Sequence, residues 1–325
     1  MTGILAGFSG QLGKDLADRW LGLLALPGAL FLAIVATARA VGQAHALDVS
    51  RLVHRITEWA HDPAVNTVGG QVVLLVAALA MSVAVGLVAR VLGSAIERVV
   101  LAADWQSWPR PARGVARRRT RARQSRWDEA HREYSTRWAE AAHAMAMNRR
   151  LDPETRHAAL HVRSSIAIER PDRPTWSGDR IHGVSVRLLR DHRLDLALLW
   201  PHLWLILPDE ARKEITAART AMTRATELGA WAVLYAPLTY LWWPAAIIAA
   251  LLGLTARRRT RAATDSYARL VEAAVRLHAR DLAQRLGFDY AGPLPADAGD
   301  RFDELLKSAP PAVVASEPER DQLAH

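Results

Sequence analysis

Three blocks of apolar residues punctuate an otherwise highly charged chain. Leu21 to Ala38 runs 18 residues without a charge, Val68 to Ala89 runs 22, and Leu228 to Ala256 runs 29. About 20 apolar residues in a helix cross a hydrocarbon core of about 30 Å, so the first two blocks predict membrane spans, at about 20–40 and 68–92. As one helix the third would be about 43 Å long, more than an untilted span needs. Trp242-Trp243-Pro244 lies near its middle, and Pro suits the first position of a new helix better than the interior of an old one. The pattern therefore predicts a second hairpin over 227–257 with its turn near 242–244. Each arm has only about 14 residues, so a re-entrant loop or one long tilted span stays open.

Between the blocks the period is helical. Val49, Leu52, Val53, Ile56, Trp59 and Ala60 predict an amphipathic helix on the membrane surface, with Asp48 or Ser50 as its cap. Trp127, Ala130, Tyr134, Trp138, Ala141 and Met145 predict a long helix from near Gly114 to Met147. Asp152-Pro153-Glu154 opens a shorter one, Asp capping and Pro at the first position. Arg170–Gly178, with Pro171 and Pro174, predicts a loop, Asp179–His192 a helix, and Leu194–Leu207 a short apolar helix. Asp209 and Glu210 start the helix that enters the third block. Tyr267, Leu270, Val271, Ala274, Leu277, Leu282 and Leu286 carry a helix on to Gly287. The chain thus divides into an N-terminal hairpin (1–95), a basic cytoplasmic helical region (96–226), the second hairpin, a cytoplasmic C-terminal helix (258–290) and a tail (291–325) expected to be mostly disordered apart from one short helix near Arg301–Lys307. The fold class is all-α, as an integral membrane protein.

Charge sets the orientation. The 42 Lys and Arg against 33 Asp and Glu leave +9, and all but three of the basic residues are Arg. Arg110, Arg113, Arg117, Arg118, Arg119, Arg121, Arg123 and Arg126 follow the second span with no acid among them, and Arg257, Arg258, Arg259 and Arg261 follow the third block. Basic clusters stay cytoplasmic, so both termini are expected inside, at a bacterial plasma membrane. A rival topology recruits Leu194–Leu207 as a further span, against its short length, Asp195 and Pro201. Ala44-His45-Ala46 has the form of a signal-peptide cleavage site, but the region before it is long and carries Asp15 and Asp18.

Small residues recur every fourth position: Ala25, Ala29, Ala33 and Thr37; Ala78, Ser82 and Gly86; Ala232 and Ala236 opposite Ala245, Ala249 and Gly253. Such stripes allow close helix approach in lipid. Of these, Ala29, Ala33, Ala78, Ser82, Gly86, Ala249 and Gly253 are the predicted packing positions, within one chain or between copies in a homo-oligomer.

Pro174-Thr175-Trp176-Ser177-Gly178-Asp179, Leu194-Asp195-Leu196, Trp200-Pro201-His202-Leu203-Trp204 with Pro208, Tyr267, Leu270-Val271-Glu272-Ala273-Ala274 and Leu277-His278 together resemble an uncharacterised family of bacterial, mainly actinobacterial, multi-pass membrane proteins. The resemblance covers roughly 171–287. It implies two N-terminal spans, a cytoplasmic helical segment, a second membrane hairpin and a cytoplasmic C-terminal helix, and it implies no activity. Asp179 and His202 depart from the family pattern, which has Asn and Arg there, so no ligand role follows for either.

The absence of cysteine excludes disulfides, thiol catalysis and Cys-ligated metals. No charged residue or histidine lies inside the three blocks, which disfavours a coupled transporter. No phosphate-cradling glycine loop, nucleophile elbow or His-Glu-x-x-His is present. His157 and His161 share a helix face without a third ligand, and Asp191, His192, Asp195 and His202 form a polar cluster from which a hydrolase could be built, but equally an interhelical hydrogen-bond network, the reading preferred here. The expectation is a non-enzymatic protein without cofactor or metal. Arg117, Arg118, Arg119, Arg121, Arg123, Arg257, Arg258 and Arg259 are the candidate contacts for anionic lipid headgroups or for an unidentified cytoplasmic protein partner. The same arginines could merely fix topology, and nucleic acid ranks last among their ligands. The expected role is a membrane-anchored scaffold, sensor or effector. The alternative is an oligomeric pore or permeability-altering protein.

Overall fold

The computed structural model describes residues 26–46, 48–60, 67–149, 152–288, 290 and 292–307. The start of the first apolar block, Asp62-Pro63 and both termini lie outside these. Every regular element among the described residues is a helix, so the all-α expectation holds. They are α1 (Leu26–Val41), α2 (Val49–Ala60), α3 (Val68–Leu101), α4 (Arg110–Ala146), α5 (Pro153–Ile166), α6 (Trp176–His192), α7 (Leu196–Ile206), α8 (Asp209–Tyr235), α9 (Pro244–Arg285) and α10 (Ala298–Leu306). Two 3-10 turns, Trp105–Ser107 and Ala236–Tyr240, interrupt them.

Local chemistry sets the boundaries. Thr67 caps α3 by accepting from the Gly70 amide, Asp152 caps α5 through the Glu154 amide, and Asp195 caps α7 through the Ala197 amide. The long α8 begins on Asp209 and Glu210, whose charges suit the positive helix start. The chain leaves α-helix over Ala236–Trp243, tightening to 3-10 at Ala236–Tyr240, and Pro244 is the first residue of α9, where its missing N–H costs nothing. From there α9 runs 42 residues without a break, and Gly287 follows it at φ 88°.

Only α3, among the described residues, is both long and apolar enough to cross a membrane by itself, while α1 and α7 are shorter apolar helices. Chain contacts define two compact units. The first comprises Met1–Gly183 with Lys213–Leu270, and the second Val184–Arg212 with Val271–His325.

In the first unit small residues let the apolar helices meet. Ser82, Gly86, Ala89 and Gly93 are the buried positions of α3. A Cβ added to Gly28 of α1 would overlap the Ser82 carbonyl oxygen and stand 2.8 Å from its carbon. One added to Gly93 would lie 3.1 Å from the Cα of Glu227 on α8. Backbones approach this closely only where side chains are absent. At Gly253 of α9 an added Cβ would stand in ordinary contact, 3.7 Å from the Ala232 Cβ of α8, and Tyr235, Leu238 and Ala245 form a core joined by Phe31, Val35, Trp231 and Ala249. Phe31 packs edge-on against Tyr235 with ring centroids 5.1 Å apart.

The packing face of α1 differs from the one its alanines predict. Ala29 and Ala33 are exposed, as is Ala78 on α3, whereas Ser82 and Gly86 are buried. The buried positions of α1 are Gly28, Ala38 and Val41. Successive helical residues are rotated by about 100°, so a stripe starting one residue later points away from the neighbour.

The second unit is built on Leu188, Leu194, Leu199, Leu203, Val275, Leu282 and Phe302, all buried. Arg187 pairs with Glu272, and Asp191 with Arg276 at 2.8 Å. Both pairs are 85 residues apart in sequence, which sets the adjoining stretches of α6 and α9 parallel.

Candidate functional site

The polar cluster of the first unit grows from the end of α3. A helix leaves its last carbonyls without amide partners. Ala102 closes α3 in the left-handed conformation at φ 44°, with its amide on the Arg98 carbonyl, and is itself fully buried. The Val100 carbonyl accepts from the Thr175 hydroxyl at 2.6 Å, and the Leu101 carbonyl from Arg173 Nη1 at 3.3 Å. A cation at this position also suits the negative helix end. The Thr175 oxygen accepts from the Gly178 amide, so one hydroxyl both stops α3 and starts α6.

The segment between α5 and α6 lies along one face of α4. Gln124 Nε2 donates to the Pro171 carbonyl at 2.9 Å, Trp127 Nε1 to the Ala167 carbonyl at 3.0 Å, and Arg170 holds Asp128 through two bonds of 2.9 Å. Positions 123, 124, 127 and 128 recur at the helical repeat and so share one face. Arg123, the first of them, donates to the carbonyls of Ile166 and Arg173 and forms a 2.7 Å ion pair with Asp179 Oδ2. Asp179 Oδ1 accepts the amides of Asp172 and Arg173 at 2.9 and 2.7 Å. The Arg123 side chain is 16% exposed and that of Asp179 6%.

Burial raises the Asp179 carboxyl above its ordinary value despite Arg123 and the two amides. Burial likewise lowers Arg123 against the pull of Asp179, and Arg261 and Arg119 lower it further. For both partners desolvation outweighs attraction, the usual balance for an enclosed ion pair. Beside it, Arg180 of α6, 5% exposed at its side chain, pairs with Asp265 of α9 at 2.5 Å, and Asp265 also holds Arg269 at 2.6 Å.

Two classes of arginine thus emerge. Arg123 is bound inside the protein and cannot serve as the lipid or partner contact that its place in the run predicts, because its guanidinium is used by two carbonyls and a carboxylate. Arg117, Arg118, Arg119 and Arg121 on α4 and Arg257, Arg258 and Arg259 on α9 are exposed. Arg261, outside the predicted set, stands 4.6 Å above the Trp176 ring. The signal that could separate these classes is periodicity: Thr120, Arg123 and Trp127 continue the buried stripe of Ala116, while Arg117, Arg118 and Arg121 fall off it.

The polar residues of the second unit have separate structural partners. Asp191 bonds Arg276, Asp195 caps α7, His192 Nδ1 faces the Pro295 carbonyl at 3.4 Å, and His202 Nδ1 lies 3.1 Å from the Leu198 carbonyl. Among the described residues no group of three or more His, Cys, Asp or Glu is placed to hold a metal. No family model, curated protein or solved structure matches the chain.

Proposed function

We propose that the chain is an integral multi-pass membrane protein with two helical hairpins, α1 with α3 and the end of α8 with the start of α9, in keeping with the family it resembles. The observation that carries this reading is the tie between the two turns. Gln43, just after α1, donates to the Thr239 carbonyl at 2.6 Å and the Tyr240 carbonyl at 3.0 Å, and accepts from the Trp243 amide at 3.0 Å. Trp242 Nε1 donates to the Ala46 carbonyl at 2.8 Å. Both turns therefore belong to one end of the apolar helices, and the basic clusters to the other. Val72, Leu75, Leu79, Leu87 and Val91 of α3 and Ile247, Leu251 and Leu254 of α9 point outward, an apolar exterior suited to lipid.

The role we assign is non-enzymatic: a scaffold, sensor or effector at a bacterial plasma membrane, with both termini in the cytoplasm. Its exposed arginines contact anionic lipid, and its cytoplasmic helices engage a protein partner or a second copy. The pore alternative draws less support, because Ser82 and Gly86, which it would place between copies, are occupied in packing within the chain.

Single cysteines in this cysteine-free protein test the topology. Ser50→Cys and Tyr240→Cys, both at exposed positions, should react with a membrane-impermeant maleimide in intact cells, and Ser125→Cys and Ser266→Cys only after lysis. Labelling of Ser266→Cys in intact cells would overturn the second hairpin. Ser177 is buried and makes a poor reporter.

A further inference from the structure

Helix α2 turns a polar side chain towards the chain and apolar ones away from it. Asp48 Oδ1 accepts the Arg51 amide at 3.0 Å and so caps the start of the helix, and the Arg51 guanidinium donates back to His45 Nδ1 at 2.5 Å, in the turn that follows α1. Val49 and Val53 each stand two residues from Arg51, about 160° round the helix from it. They are 69% and 57% exposed. An amphipathic helix of a water-soluble domain lays its apolar face on the core. This one leaves both valines uncovered among the described residues.

The same end of the first unit carries further exposed apolar groups, joined to α2 by direct bonds. Trp242 Nε1 on the Ala46 carbonyl, and Gln43 on the backbone of Thr239, Tyr240 and Trp243, hold the turn before α9 against the residues that lead into α2. Tyr240, Leu241 and Trp243 stand exposed on that turn, and Ile247, one helical turn beyond Trp243, begins the outward apolar surface of α9. The valines of α2 thus border a surface that continues along the apolar helices.

Size decides what covers them. The 12 residues of α2 make a helix about 18 Å long and about 10 Å wide, so one face offers roughly 180 Å². A stable protein interface takes about 800 Å² from each partner, more than this face supplies to a second copy. A lipid surface asks only for an apolar face with charges opposite and aromatic rings at the boundary.

We infer that α2, with Tyr240, Leu241 and Trp243, is a contact with the lipid of the outer leaflet. The helix lies in the membrane plane, Val49 and Val53 in the acyl boundary and Arg55 and Glu58 in water. This rests on the membrane reading proposed above and adds where the bilayer ends, at the two tied turns.

Nitroxide labels on single cysteines, in the full chain in phosphatidylcholine nanodiscs, test the contact through collisions with oxygen, which enters lipid, and with a nickel chelate, which stays in water. Val49→Cys, Val53→Cys, Arg55→Cys and Glu58→Cys all lie at exposed positions, and Leu75→Cys, exposed within the apolar stretch of α3, is the lipid reference. The ratio of oxygen to nickel collisions should reverse along α2, oxygen prevailing at 49 and 53 as at 75, and nickel at 55 and 58. Nickel prevailing at all four positions of α2 but not at 75 overturns the contact and leaves the span standing. Nickel prevailing at 75 as well overturns the membrane reading and the contact with it. Few collisions of either kind at 49 and 53 mean that protein covers the valines, and overturn lipid as the occupant.

Discussion

Two ends of the first unit solve the same problem, holding helices together, with opposite chemistry. Around Gly28, Ser82 and Gly93 the helices touch because nothing stands between their backbones. Around Arg123, Asp179, Arg180 and Asp265 they are held by buried ion pairs and by side chains that take up loose carbonyls. On the membrane reading proposed above, neighbouring lipid tails would be as apolar as leucine, so association would depend on close contact. At the polar end, desolvating a charge is costly, and each buried arginine must find a carboxylate or carbonyl. The changeover occurs along α3, from Ser82 and Gly93 to the carbonyls of Val100 and Leu101.

The comparison breaks most sharply at Asp179. Asp179→Ala leaves Arg123 enclosed without its carboxylate and frees the amides of Asp172 and Arg173, a loss of about 3–5 kcal/mol in denaturant unfolding of the detergent-solubilised protein. Asp179→Asn keeps an acceptor for the two amides and should lose less. If Asp179→Ala unfolds with the wild type, the pair does not hold these elements together.

A smaller effect is expected at the apolar end. Gly28→Leu drives a side chain into the Ser82 carbonyl, at a cost of about 1–3 kcal/mol. Ala29→Leu, one residue on, should stay within about 0.5 kcal/mol because Ala29 faces outward. Equal unfolding midpoints for the two variants would return the packing face to the alanine stripe.

That contrast marks how far the sequence could be read. Helix ends are local chemistry, and Asp152-Pro153, Asp209 and Gly287 announce theirs. The face that packs is not local. Ala29 and Ala33 have the same spacing as any small-residue stripe, and only the position of α3 selects Gly28. The clamp formed by the Arg123–Asp179 pair and the side chains around it was hidden for a similar reason: Arg123 looks like every other arginine in its run, and its partner lies 56 positions away across a loop. Reading Thr120, Arg123 and Trp127 as the continuation of an apolar face would have separated Arg123 from its neighbours. The importance of Asp179 needs the end of α3, the loop at 171–173 and α4 brought together, and no pattern along the chain contains that.

The smallest expected effect tests whether the clamp answers to pH. His182 lies beside Arg173, the residue that holds the Leu101 carbonyl, with its Nδ1 3.5 Å from that guanidinium and its Nε2 3.8 Å from Asp172. Burial and then Arg173 lower its proton affinity below the ordinary 6.5, against the opposing pull of Asp172 and Asp179. A histidine weakened in this way favours folding while neutral, so its contribution is complete above pH 6.5 and is lost as the pH falls through 6.5 towards its folded value. Asp179, raised by burial, works in the other direction, since the folded protein binds its proton more tightly and gains stability on acidification. Comparing wild type with His182→Gln cancels Asp179 to first order and isolates the histidine. The wild type should lose more stability than the variant between pH 7.5 and 5.5, by a fraction of a kcal/mol because the ring is partly exposed. Parallel pH profiles would separate His182 from the clamp and leave Arg173 to hold the end of α3 regardless of its neighbour's charge.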